Sequence, residues 1–218
     1  IMFNYNKRLL SLEKYINLLK YLTFKNKSKK MPIIKQSILD IVYNAEGNSI
    51  YRISMDGIDR INYNIEQLHK YKNHVIFSTY VVRILEGSED FTIMKKIKDR
   101  ENVVDINDFN IRVRLSEELD VSDDELQSLT NISYLNGSKI IFRMKDRVTF
   151  YVLGDETSDE FIKIDLTITK MSKNINRIND VIPNYELEIE YGANNKKKKS
   201  NILDIMFKEA EMLLKVIQ

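Results

Sequence analysis

The sequence predicts an α+β domain built on one large antiparallel sheet or barrel. Three observations carry that expectation. Several segments alternate polar and apolar residues at strand period, these segments follow one another through the middle of the chain, and an amphipathic helix stands near each end. The clearest alternation is Tyr185-Glu186-Leu187-Glu188-Ile189-Glu190-Tyr191. Successive strand side chains point to opposite faces, so the three glutamates share one face and Leu187, Ile189 and Tyr191 the other. Neighbouring carboxylates on that face stand roughly 7 Å apart and repel unless something cationic lies among them. A metal ion or a set of arginines meets that need; a solvated strand face is the ordinary alternative.

The elements follow in order. Arg8 to Thr23 carries Leu9, Leu10, Leu12, Tyr15, Ile16, Leu18, Leu19 and Leu22 as a broad apolar stripe at helical spacing and reads as a helix. Lys25 to Lys30 reads as an exposed basic loop. Ile38 to Tyr43 and Ser49 to Met55 form a hairpin around Asn44 to Asn48, whose length and glycine suit that turn. Gly57 to Tyr71 places Ile58, Ile61, Ile65 and Leu68 on one helical stripe. Val75 to Glu86 and Phe91 to Lys98 read as a strand pair joined through Gly87-Ser88, and Asn110 to Ser116 as a further strand. Ser122 followed by Glu125 three residues later has the form of a helix start, or part of a loop. Lys139 to Leu153, Phe161 to Met171 and Tyr185 to Tyr191 are the strongest strands. Asp155 to Glu160 is loop-like. Lys196 to Lys199 is a basic turn, and Ser200 to Ile217 closes the chain as an amphipathic helix.

Many of the alternating polar sets are basic. Arg143, Lys145, Arg147 and Thr149 share one face of a strand. Arg112 and Arg114 alternate with Ile111, Val113 and Leu115, and Arg52 and Ser54 with Tyr51, Ile53 and Met55. Lys163, Asp165, Thr167 and Thr169 alternate with Ile164, Leu166 and Ile168. A half-buried strand normally turns its polar face to water. Long charged side chains repeating in five segments suggest instead a sheet closed with its polar face inward, its apolar face covered by helices or neighbouring domains. An open sheet with a charged outer face is the alternative.

Composition narrows the function classes. The 218 residues suffice for one sizeable domain, expected to span 1–218. With 34 Lys+Arg against 32 Asp+Glu the formal net charge is only +2, so any attraction for phosphate is local, not a property of the whole surface. There is no cysteine, hence no disulfide framework and no thiolate metal site. No apolar run approaches the ~20 residues of a membrane span. The first residue is Ile1, and the chain reads as a piece of a longer protein. His69 and His74 are too few for a zinc site of the usual kind, and no P-loop, dinucleotide fingerprint or nucleophile elbow is present. What remains is carboxylates and cations on adjacent strands, a set that suits phosphate chemistry. Oxygen ligands favour Mg2+ or Mn2+, while Arg and Lys hold phosphoryl oxygens.

At these residues the chain resembles the triphosphate tunnel metalloenzymes, and within them the RNA triphosphatase domain of mRNA capping enzymes from mimivirus-like large DNA viruses. The resemblance runs from about Ile38 to the C-terminus. It rests on Tyr51-Arg52-Ile53-Ser54, Phe109 to Arg114 followed by Glu117-Glu118, Arg143-Met144-Lys145-Asp146-Arg147, Ile164-Asp165-Leu166-Thr167, and Pro183 to Glu190. It implies a closed antiparallel tunnel that removes the γ-phosphate of 5′-triphosphate RNA with Mg2+ or Mn2+. It implies that Glu186 and Glu188 belong to the metal-binding strand, and that Glu188, Glu190, Arg143, Lys145 and Arg147 are catalytic. Arg52, Arg112, Arg114, Lys163, Asp165 and Thr167 would bind or frame the triphosphate. It further implies guanylyltransferase and methyltransferase modules as partners on the same polypeptide, and a place in the host-cell cytoplasm or the virion. The family pattern also includes an N-terminal E-x-E strand. Ile1 to Tyr5 looks like the tail of such a strand without its glutamates, which either lie upstream or are absent. Rival readings are a tripolyphosphate or nucleotide triphosphatase of the same fold, and a non-catalytic scaffold barrel.

Overall fold

The computed structural model describes residues 2–5, 10–29, 32–45, 49–97, 103–106, 111–114, 118–131, 135–155, 157–193 and 201–217. Ten strands form one sheet: β1 Met2–Tyr5, β2 Ile33–Asn44, β3 Ser49–Asp56, β4 Phe91–Ile97, β5 Val103–Ile106, β6 Ile111–Arg114, β7 Glu118–Leu119, β8 Ile140–Leu153, β9 Glu160–Ser172 and β10 Asn184–Ala193. Their spatial order is β5-β6-β1-β10-β9-β8-β2-β3-β4-β7, and every pairing is antiparallel. Among the described residues five α-helices accompany them: α1 Leu12–Lys29, α2 Ile58–Leu68, α3 Asn73–Leu85, α4 Asp123–Thr130 and α5 Ile202–Ile217.

The sheet curls. In the strand order β6 and β7 are eight spacings apart, which in a flat sheet is roughly 38 Å. Yet only three residues separate Arg114 from Glu118 in the chain, a reach of about 14 Å at full extension. The two margins must therefore face each other across a trough. Among the described residues no ladder joins β5 to β7, so the expected closed barrel is instead a curled, open half-barrel. The two margins are short strands: β5 has four residues and β7 two.

Period-2 alternation decides what each face carries. Leu187, Ile189, Ile164 and Leu166 are buried on the outer face of β9 and β10, packed with Leu18 and Leu22 of α1 and Met206 and Leu213 of α5. The outer face of β2, β3 and β4 forms a second core, where Leu39, Ile41, Ile53 and Met55 meet Ile61 of α2, Phe77 and Tyr80 of α3, and Leu126 of α4. Helices thus cover the apolar face in two groups, and the charged face lines the concave side.

Local assignments differ in three places. Val75 to Glu86 is helix α3, not a strand. Its β-branched residues favour a strand locally, but Ile76, Phe77, Tyr80 and Val81 recur at helical spacing and are buried together. β4 consequently pairs with β3 and β7. The basic stretch from Lys25 is no loop as far as Lys29: α1 runs through it, and Lys25 Nζ sits 2.6 Å from Glu209 Oε2 of α5. Cations in a last helical turn also suit the helix dipole. Glu160 is the first residue of β9, not part of a loop. Ser122 does start a helix, with both bonds of a capping box present. The Lys196 to Lys199 turn lies outside the described residues.

Candidate active site

The concave face holds a trough of about 360 Å³ lined by residues of seven strands. Its cations are Arg52, Lys96, Arg143, Lys145, Arg147 and Lys163; its acids are Asp40, Glu118, Glu188 and Glu190; Val42, Ile50 and Met94 complete the wall. Six cations and four acids line it, and Glu186 and Asp165 just outside the lining pair with Arg143, Arg147 and Lys163. Cations are gathered here on a nearly neutral chain, so any attraction for an anion is local.

The lining moves along the strands as it crosses them. From β10 to β9 it takes the register pair Glu190 and Lys163, on β8 it spans Arg147 to Arg143, and on β3 and β4 it has moved to Arg52 and Lys96. That drift is the strand tilt of a rolled sheet. The ion pairs follow the same diagonal. Lys145 is in register with Ile38, yet its Nζ lies 2.6 Å from Oδ2 of Asp40. Arg147 is in register with Thr167, yet Nη1 reaches Asp165 Oδ2 at 3.5 Å. Arg143 crosses β9 to Glu186, and Arg52 crosses β4 to Glu118 at 3.2 Å.

Two buried aspartates organise the floor. Asp40 and Asp165 are both fully buried. Ser54 Oγ donates to Asp40 Oδ1 at 2.8 Å, and Thr149 Oγ1 donates to Asp165 Oδ1 at 2.5 Å. Asp165 Oδ2 faces Arg147 at 3.5 Å and Lys163 at 3.7 Å, and Lys163 continues to Glu190 Oε2 at 3.4 Å. Burial of Lys145 pushes its ammonium below the ordinary lysine range; Asp40 opposes this, while Arg147 and Arg143 add to it. Asp40 beside it favours the charged form and offsets part of that loss.

The sequence-derived candidates are placed as follows. Arg52, Arg143, Lys145, Arg147, Lys163, Glu188 and Glu190 line the trough together. Asp165 and Thr167 are buried beneath it. Glu186 is bound by Arg143 at 2.5 Å and is not part of the lining. The backbone of Arg112 and Arg114 pairs with Asn4 and Met2 of β1, which pair onward with Glu188 and Glu190. Their side chains lie outside the described residues. Sequence reasoning missed Asp40, Lys96 and the pairing role of Glu118. Asp40 stands between Ile38 and Val42 on its own face, so no charged alternation announces it. Its only signal is a carboxylate inside an apolar run, where burial demands a partner.

The donor chemistry fits a hard divalent cation in type. Glu188 and Glu190 present carboxylates to the trough, and oxygen ligands suit Mg2+ or Mn2+. It falls short in number: among the described residues no three acidic or histidine side chains converge.

Fold and trough define an antiparallel half-barrel domain with an ion-paired concave face. No family model matches the sequence. The chain is similar to a curated protein of Acanthamoeba polyphaga mimivirus, "Probable mRNA-capping enzyme", at 27% identity over 210 residues. The match covers 96% of this chain and 16% of the mimivirus protein, so the chain spans about a sixth of that relative. In three dimensions it resembles the RNA triphosphatase domain of a trifunctional mimivirus mRNA capping enzyme, with TM-score 0.72, 20% identity, and coverage of 100% of this chain and 87% of that one. A triclinic form of the mimivirus capping enzyme triphosphatase gives TM-score 0.69 at 22% identity, covering 98% and 89%. The fold of this chain is that of the mimivirus capping-enzyme triphosphatase domain. No helix among the described residues is long and apolar enough to cross a membrane.

Proposed function

We propose that this chain removes the γ-phosphate from 5′-triphosphate RNA, leaving a 5′-diphosphate end and inorganic phosphate as the first step of cap formation. The observation that carries the reading is the ion-paired trough itself: six cations and four acids on seven strands, in the fold of a capping-enzyme triphosphatase. The domain would act as one unit, 1–218, beside guanylyltransferase and methyltransferase modules of a longer capping polypeptide in the host-cell cytoplasm. The 16% coverage of the mimivirus relative supports such neighbours.

The mechanism follows from the side chains. Arg143, Arg147 and Arg52 offer planar forks to phosphoryl oxygens, and Lys145 and Lys163 offer point charges. Phosphoryl transfer spreads negative charge over the transferred oxygens, and pre-placed cations stabilise that charge without reorganising. Glu190 and Glu188 lie on the wall that carries Lys163, where a carboxylate orients a water and accepts its proton. Mg2+ or Mn2+, held by Glu188 and Glu190 with Glu186 behind them, would supply Lewis-acid polarisation of the phosphoryl oxygens. Asp40 and Asp165 lie between the cations and hold them by ion pairs.

A binding-only reading has one observation in its favour: Glu186 and Glu190 are already paired to Arg143 and Lys163. One experiment separates the readings. The protein is incubated with γ-labelled triphosphate RNA, or with tripolyphosphate, and Mg2+ or Mn2+. Phosphate release from RNA supports the proposal. Release from tripolyphosphate alone supports a different substrate. Tight RNA binding without release supports the binding-only role.

A further inference from the structure

The trough contains one arrangement twice. On β2 and β3, the hydroxyl of Ser54 holds Oδ1 of Asp40, and Oδ2 of the same carboxylate meets Lys145 at 2.6 Å. On β8 and β9, the hydroxyl of Thr149 holds Oδ1 of Asp165, and Oδ2 turns to Arg147 and Lys163 at 3.5 and 3.7 Å. Both aspartates are fully buried, and each hydroxyl comes from the neighbouring strand. A buried carboxylate held at one oxygen cannot rotate about its Cβ–Cγ bond without losing that bond. Its second oxygen is therefore aimed.

We propose that Ser54 and Thr149 are positioning residues for phosphate recognition, each fixing a buried aspartate so that its free oxygen places the cations that grip the phosphoryl groups. This rests on the phosphohydrolase reading for its substrate, but not for its geometry. Neither hydroxyl needs to touch substrate. They act through Asp40 on Lys145, and through Asp165 on Arg147 and Lys163.

The bland alternative is that both hydroxyls satisfy buried carboxylates and nothing more. Direction of the effect separates the two. A merely structural hydroxyl, when lost, lowers thermal stability and leaves the folded protein's affinity for phosphate unchanged. A positioning hydroxyl loosens the cations even in the folded protein.

The test compares Thr149→Val, which keeps the shape and removes the hydroxyl, with Thr149→Ser, which restores it. Ser54→Ala and Ser54→Thr form the second pair. Tripolyphosphate affinity is measured by calorimetry at a temperature well below each variant's melting point, beside kcat and KM for phosphate release from triphosphate RNA. We expect Thr149→Val and Ser54→Ala each to weaken tripolyphosphate binding on the order of tenfold, the loss expected when one charge-assisted hydrogen bond is removed. Thr149→Ser and Ser54→Thr should stay within about threefold of wild type, less than the contribution of one such bond. Folded Thr149→Val and Ser54→Ala proteins with wild-type affinity overturn the proposal, as does failure of both hydroxyl-restoring variants to recover binding. A wild-type protein that binds tripolyphosphate in this hydroxyl-dependent way but releases no phosphate from RNA keeps the positioning role and removes the hydrolytic reading. A wild type that binds no tripolyphosphate overturns both.

Discussion

Arg143 reaches across the whole width of β9 to place Nη2 2.5 Å from Oε2 of Glu186 on β10. The three glutamates of β10 are thus not equivalent. Glu186 is neutralised by an arginine, Glu190 faces Lys163, and Glu188 lies between them on the trough wall, in register with the buried Asp165. The repulsion expected of an E-x-E-x-E strand is relieved largely by cations from the neighbouring strands.

Glu188→Ala is expected to lower γ-phosphate release from triphosphate RNA on the order of a thousandfold, since several kcal/mol of transition-state stabilisation would go with it. Glu211→Ala serves as the control. Glu211 is exposed on α5 and pairs with Lys215 one turn on. Single-turnover assays on variants shown to be folded by circular dichroism give the comparison. A folded Glu188→Ala protein with near wild-type release would sink the role given to β10.

Lys145 sets an alkaline limit. Burial lowers its pKa, so as pH rises the folded protein loses this proton before the unfolded chain does. Tripolyphosphate affinity should therefore fall as pH rises through a range below the ordinary lysine value of about 10.4. The linked stability term has the opposite sign. The unfolded chain binds more protons in that window, so this lysine destabilises less as pH rises toward its unfolded pKa. Lys145→Arg, which stays charged, should remove the alkaline fall in affinity. Calorimetric titrations across pH, paired with thermal melts, check both signs.

Gly192 exists for Phe161. The two are register partners on β10 and β9, and a Cβ at position 192 would stand 2.2 Å from the ring's Cζ. Gly192→Ala should cost about 1–3 kcal/mol, the usual penalty of overpacking. Phe161→Leu should recover part of that loss in the double variant, a coupling readable from a urea-melt double-mutant cycle. Additive losses would contradict the contact.

The covering helices are structural. Leu213 of α5 is 1% exposed in the core beneath β9 and β10. Leu213→Ala should destabilise by about 2–5 kcal/mol. Urea denaturation followed by circular dichroism measures it. A change below 1 kcal/mol would mean that α5 does not complete this core.

Sequence by itself determined the faces. A strand's side chains alternate with period 2, so once Leu187 and Ile189 were apolar, Glu186, Glu188 and Glu190 had to share the opposite side; the same parity placed Arg143, Lys145 and Arg147 together. It also determined the amphipathic helix at the C-terminus, and left Ser122 as a helix start or a loop until the structure showed the capping box. Only the tertiary structure decided who pairs with whom. Lys145 meets Asp40 rather than its register partner because curled strands tilt, and tilt is a property of the whole sheet. Asp40 was invisible for the same reason, its partners lying 14 residues away in Ser54 and about a hundred away in Lys145. Curvature, the open margins and the helical state of Asn73 to Leu85 likewise depend on packing between distant segments. Local pattern fixes direction within an element, while the geometry between elements is set by contacts that close only when the chain has folded.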